Sequence, residues 1–224
     1  MKKAKGFIPF ALDIGHGIDN PKSFKDLSEY DWNQKLAEVV IPLAVENGLL
    51  PVLAQGFNEK TVGLVKRYPI YKDCVCGVSI HVDAHRNQAV NGLSVYHWIT
   101  SKNGLKFAEI YEDEFKNQEC PIRFMKLDEA DTDPSDGTYD NMGILRETAP
   151  PFILVEHGYK TNVGDREYLN SDKSVDLFAE VLVRSVCRFV GKEFIKNEAH
   201  KIMSMKEIEE LEKIKNAIRV LRTV

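Results

Sequence analysis

Short apolar runs and helix-spaced apolar stripes follow one another along most of this chain. Residues 7–14 read as a buried strand, and the polar, turn-rich stretch 18–28 reads as a loop. Behind Ser28, a good N-cap, the positions Trp32, Leu36, Val39, Val40 and Leu43 recur at helical spacing. They predict a helix to Asn47, kinked or interrupted at Pro42 and capped by Gly48. Residues 49–54 predict a second strand, 59–73 a second helix, the run ending in His81 a third strand, and Leu93–Trp98 a fourth. Residues 102–117 predict a helix. Residues 120–141 carry Pro121, Pro134, Gly137 and five aspartates, and read as mostly loop overhanging a site. Residues 143–146 read as a short strand, and another strand runs to Glu156 after the Pro150-Pro151 break. Residues 173–190 predict a helix that buries Val175, Phe178, Val181, Leu182, Val186 and Phe189. Strands alternating with helices predict a three-layer α/β/α domain.

Three of the apolar runs end on chemically active residues. They are Leu12-Asp13-Ile14-Gly15-His16-Gly17, Val78-Ser79-Ile80-His81-Val82-Asp83 and Leu154-Val155-Glu156-His157-Gly158. Ligands of open α/β sheets gather beyond the carboxyl ends of the strands, so these residues can meet in one crevice. A catalytic zinc site has three protein ligands and an open position. His16 and His81 are two candidates, and Glu29, in the first turn of the helix after the His16 loop, is the best third. Glu156 fits the carboxylate outside the metal shell that moves a proton from water to a leaving amine. His81 and His85 have the spacing of an HExxH helix, but Val82 stands where the Glu would be and the run reads as strand. Asp83 shares a strand face with His81, as a ligand or as a group that orients the ring.

Composition narrows the alternatives. The net charge of -4 gives no electrostatic reason to expect nucleic acid. No stretch approaches the roughly 20 apolar residues of a membrane span. Asp13 and His16 cut short any signal-like run, so the chain as written reads as a cytoplasmic product, or one whose export signal has been removed. Cys74, Cys76, Cys120 and Cys187 read as reduced, mostly packed thiols. After Gly191 the composition shifts to charge. Ile202, Met205, Ile208, Leu211, Ile214, Ile218 and Leu221 then predict an amphipathic helix. The division expected is a catalytic domain over 1–192 and a helical tail over 193–224. The tail's stripe fits docking on the domain, homo-oligomerisation, or a wall or membrane contact.

The ordered set of Leu12–Gly17, Glu29, Ser79-Ile80-His81, Leu145-Arg146-Glu147-Thr148, Pro151, Leu154–Tyr159 and Asn162 resembles the zinc-dependent N-acetylmuramoyl-L-alanine amidases of the Amidase_3 type. The resemblance spans roughly residues 7–190 with every landmark in order. It implies zinc held by His16, Glu29 and His81, with Glu156 as the catalytic carboxylate. It implies a twisted, mostly parallel six-stranded sheet with helices on both faces. The implied reaction is hydrolysis of the amide between N-acetylmuramic acid and L-alanine of peptidoglycan. Asp83, Arg146, His157 and Asn162 are further candidates for second-sphere or substrate-binding roles, with a structural role favoured for His157, which strand alternation points away from Glu156. Two departures stand out: Val82-Asp83-Ala84 where the family has a small residue and Asn-Ala, and the charged-type His157 after Glu156. With no evident signal and no wall-binding repeat, the setting expected is a phage or prophage lysin. The rival readings are a non-catalytic wall-binding or regulatory homologue, and a related zinc peptidase.

Overall fold

A computed structural model describes residues 6–131 and 142–196. The predicted tail helix, the lysine-rich start and most of the acidic part of the 120–141 stretch lie outside these residues. Six strands form one sheet: β1 (Ile8–Ile14), β2 (Leu49–Val52), β3 (Gly77–Asp83), β4 (Leu93–Trp98), β5 (Phe124–Ala130) and β6 (Phe152–Tyr159). Their order is β2-β1-β3-β6-β4-β5. All neighbours are parallel except β4 and β6, which run antiparallel. The mostly parallel, mixed sheet agrees with the expectation.

Helices cover both faces. On one side lie α1 (Glu29–Glu46), α3 (Lys102–Lys116) and α6 (Asp172–Phe189), with the larger core of Phe10, Leu36, Ile80, Phe107, Phe178 and their neighbours. On the other lie α2 (Leu64–Tyr71) and α4 (Gly143–Glu147), over Tyr96, Phe152 and Leu154. The short α5 (Val163–Leu169) leads into α6. The four cysteines are free thiols, three of them buried.

Several local expectations are corrected. The stretch 143–146 is the start of helix α4, not a strand, because its buried residues Ile144 and Leu145 pack on the sheet from one turn. Residues 124–130, read as loop, form β5. It is an edge strand whose side chains are mostly half-buried, so charged residues such as Lys126 and Asp128 are tolerated there. Pro42 does not end α1, which runs unbroken to Glu46. The second helix is shorter than predicted, eight residues that include Pro69.

Two features of the sheet position the site. Strands β1, β3 and β6 are parallel neighbours, so their carboxyl ends open on one edge of the sheet. Between β3 and β6 the register shifts: His81 lies opposite Glu156, but Asp83 lies opposite Tyr159. The extra residue in β6 is a β-bulge, a device that re-aims side chains beside a site.

Candidate metal centre

His16 follows β1 with φ of 67°, in the left-handed region. A non-glycine residue there costs on the order of 1–3 kcal/mol and persists only where its surroundings impose it. Here the Gly15 carbonyl accepts from Asn33 Nδ2 at 3.2 Å and the His16 carbonyl from Gln55 Nε2 at 2.6 Å. Gly15 also lets His81 approach: a Cβ at that position would collide with the His81 ring. Glu29 is the first residue of α1, whose N-cap Ser28 accepts from the Asp31 N–H at 3.2 Å. Its carboxylate is buried and faces the carboxyl end of β3.

Glu29 Oε1 lies 3.1 Å from His16 Nε2 and 3.1 Å from His81 Nδ1. One ligand atom from each of the three residues falls within 4.8 Å of the others, and among the described residues this is the group of metal-binding type. Three lone-pair donors so close repel one another unless a proton or a cation sits between them, so the donor set suits a small divalent ion. The mix of two imidazoles and one carboxylate is among those zinc takes in catalytic sites.

The second oxygen of Glu29 is also committed. Lys160, just beyond β6, is buried and places Nζ 2.6 Å from Glu29 Oε2 and 2.8 Å from the Val82 carbonyl. Burial works to raise the Glu29 pKa. The close contacts with His16 and His81 and the nearby Lys160 charge outweigh it and hold the carboxyl well below the usual range. Lys160 had no signal in the sequence, where it reads as an ordinary lysine after a strand.

Glu156 and Asp83 line the same crevice as the triad, with Lys160 and Lys22. Glu156 sits in register beside His81 on one side and Ser94 on the other. Asp83 accepts from the Ala84 N–H at 2.6 Å, and the atom that approaches the far ring nitrogen of His81 is instead Ser79 Oγ, at 3.2 Å from Nε2. Arg146 pairs with Glu147 on α4 and is not among the residues that line the crevice. Asn162 caps α5, accepting from Asp165 N–H at 3.1 Å and donating to the Gln88 carbonyl at 2.8 Å.

His157 is fully buried on the opposite face of the sheet, against Trp32 and Phe178. Its burial is in keeping with the structural role favoured from the sequence. Its Nδ1 lies 3.1 Å from the His81 carbonyl, which only accepts, so Nδ1 carries the proton. Nε2 then accepts from the Tyr111 hydroxyl at 3.0 Å. Burial pushes the imidazole pKa down to about 3, with the nearby His81 charge adding to the effect against two backbone contacts. The unfolded imidazole takes up a proton near pH ~6.5, whereas the folded one does not until about 3. The unfolded state therefore binds more protons in that window, and stability falls as pH drops from ~6.5, by up to ~1.4 kcal/mol per unit. A His157→Phe variant should lose this part of the slope. Melting temperatures between about pH 7 and pH 5 compare the two, and parallel curves would exclude His157 as the source.

Residues 10–188 match the N-acetylmuramoyl-L-alanine amidase family. The fold is similar to that of the amidase AmiC2 of Nostoc punctiforme, at 25% identity and a TM-score of 0.74 over 84% of this chain and 100% of that one. It is also similar to the catalytic domain of CwlV, an amidase from Bacillus (Paenibacillus) polymyxa var. colistinus, at 19% identity and a TM-score of 0.72, covering 83% of this chain and 99% of the other. The catalytic domain of the CD27L endolysin targeting Clostridia difficile superposes at 21% identity and a TM-score of 0.60, over 84% and 99% of the two chains. With the family match covering nearly all of the sheet and its helices and every residue of the candidate centre, the chain belongs to the N-acetylmuramoyl-L-alanine amidases.

Proposed function

We propose that this chain is a zinc-dependent hydrolase cleaving the amide between the lactyl group of N-acetylmuramic acid and the L-alanine of the peptidoglycan stem. The observation that carries the reading is the convergence of His16 Nε2, Glu29 Oε1 and His81 Nδ1, with Glu156 beside His81 on the next strand. His16, Glu29 and His81 would hold the metal. Zinc bound there supplies an acidified water and Lewis acidity toward the scissile carbonyl. Glu156, outside that donor set, takes the proton from the attacking water and returns it to the leaving L-alanine amine. Lys160 keeps Glu29 Oε2 occupied, which leaves Oε1 as the oxygen aimed at the two histidines.

The family match ends at residue 188, which supports residues 1–192 as the catalytic unit and 193–224 as an appended tail. No helix among the described residues is long and apolar enough to cross a membrane. We infer a phage or prophage lysin as the setting, a reading that the likeness to an endolysin catalytic domain supports.

The test is the product released from purified peptidoglycan, with and without a zinc chelator and zinc add-back. The expected result is chelator-sensitive release of whole stem peptides bearing a free L-alanine amine, without new reducing ends. Cleavage inside the stem peptide would favour a peptidase. No release from zinc-loaded protein would favour a wall-binding module.

A further inference from the structure

We propose that Ser79 and Asp13 lock His81 into the ring tautomer that offers Nδ1 to the metal, and that Arg67 and Tyr71 anchor the relay from behind. All four are positioning residues. The inference rests on the zinc reading of the His16–Glu29–His81 centre.

The proton assignments follow from the donors and acceptors available. Asp13 is almost fully buried in β1, and its Oδ1 receives Arg67 Nη1 at 2.9 Å and the Tyr71 hydroxyl at 2.8 Å. The Tyr71 oxygen accepts from the Ala54 N–H at 3.2 Å, so its own proton is free for Asp13. A carboxylate paired with a guanidinium offers acceptors only. The contact between Ser79 Oγ and Asp13 Oδ2, at 2.7 Å, is therefore donated by the serine. A hydroxyl has one proton, so toward His81 the same oxygen can only accept. Nε2, 3.2 Å away, must then be the N–H. A neutral imidazole carries one N–H, which leaves Nδ1 with its lone pair toward Glu29 Oε1 at 3.1 Å. That is the atom a metal at this centre needs. An outer partner that fixes tautomer and ring orientation in this way raises ligand basicity.

Arg67 joins the two histidines. Besides Asp13 it holds the Ile14 carbonyl at 2.8 Å and Gln55 Oε1 at 3.0 Å. Gln55 in turn donates to the His16 carbonyl at 2.6 Å. One buried guanidinium thus steadies the backbone of the first candidate ligand and the ring of the second.

The relay makes an unusual prediction for Asp13→Asn. The two donors from Arg67 and Tyr71 require an oxygen, so the new amide must turn its NH2 toward Ser79. Ser79 then accepts from residue 13 and points its proton at His81 Nε2. With the Ser79 proton released from residue 13 and turned to Nε2, that side of the ring becomes the acceptor and the ring proton sits on Nδ1, in the way of the metal. A change of one atom reverses the relay without changing its shape.

The experiment is zinc affinity, measured by competition against a chelator of known strength, for wild type, Ser79→Ala, Ser79→Thr and Asp13→Asn. Melting of each metal-free protein is recorded alongside. Ser79→Ala should weaken zinc binding by about 10–100-fold, the usual cost of losing an outer partner. Ser79→Thr, which keeps the hydroxyl, should recover most of it. Asp13→Asn should bind at least as weakly as Ser79→Ala. In the zinc-loaded wild type the His81 Nε2–H should give a proton resonance protected from exchange, and that protection should vanish in Ser79→Ala. Wild type that fails to bind zinc would remove the metal reading and this proposal together. Wild type that binds zinc while Ser79→Ala binds it within about twofold would overturn the relay alone, whatever happens to the metal-free melting temperatures. Should Asp13→Asn fail to fold, Ser79→Ala decides.

Discussion

Replacing Glu156 with Gln is expected to lower turnover by about two to four orders of magnitude while leaving the metal content unchanged. That range is what a positioned general acid–base group contributes. Gln keeps the shape and the neutral hydrogen-bonding capacity of the side chain but has no basic oxygen to take a proton. Glu156 lies next to His81 across the parallel β3–β6 pair and on the crevice wall, outside the group formed by His16, Glu29 and His81. The substitution should therefore leave the three donors in place. Turnover on purified peptidoglycan and metal analysis of the same preparation check both halves. Near-normal activity in the variant would mean that another group carries the proton.

His81→Ala is expected to abolish both metal binding and activity. It leaves two donors where three converge. The loss in zinc affinity should exceed the roughly 10–100-fold that removing only an outer hydrogen-bond partner costs. The fold should survive, because Glu29 retains Lys160 and the Val82 N–H as partners. The discriminating measurement is metal content after exhaustive dialysis, together with the circular dichroism of the same sample. A native-like spectrum with no zinc fits the assignment. Full zinc content would strike His81 from the ligand set.

The meeting of His16, Glu29, His81 and Glu156 was legible in the sequence because parallel buried strands leave a plain signature. Their interiors are continuously apolar, so a polar residue at the end of such a run stands out, and parallel pairing brings several of those ends together. What surrounds the centre was not legible. Arg67 lies 54 residues from Asp13, and Ser79 lies 66 residues from it. Nothing in their local pattern marks them as one network. Lys160 reaches Glu29 across 131 residues and sits just past the β6 bulge, where simple alternation no longer gives the direction of a side chain. Strand β5 was missed for a different reason. As an edge strand it has half-buried positions and alternating charges, which in isolation look like loop. Helix α4 is one turn long, too short for periodicity to separate it from a strand.

The pairing of Lys160 with Glu29 bears on the order in which this protein would fold and acquire an ion at the His16–Glu29–His81 centre. Small zinc domains fold only with their metal, because the ligands have no other way to satisfy one another. Here the buried carboxylate has a permanent counter-charge within the polypeptide, and a core of several dozen apolar side chains stands without help from the centre. On the proposed zinc reading, the domain can therefore fold first and take up the ion afterwards. On that reading, withdrawal of the ion would leave a folded protein able to take it up again, so that metal supply would switch the amidase on and off without unfolding it.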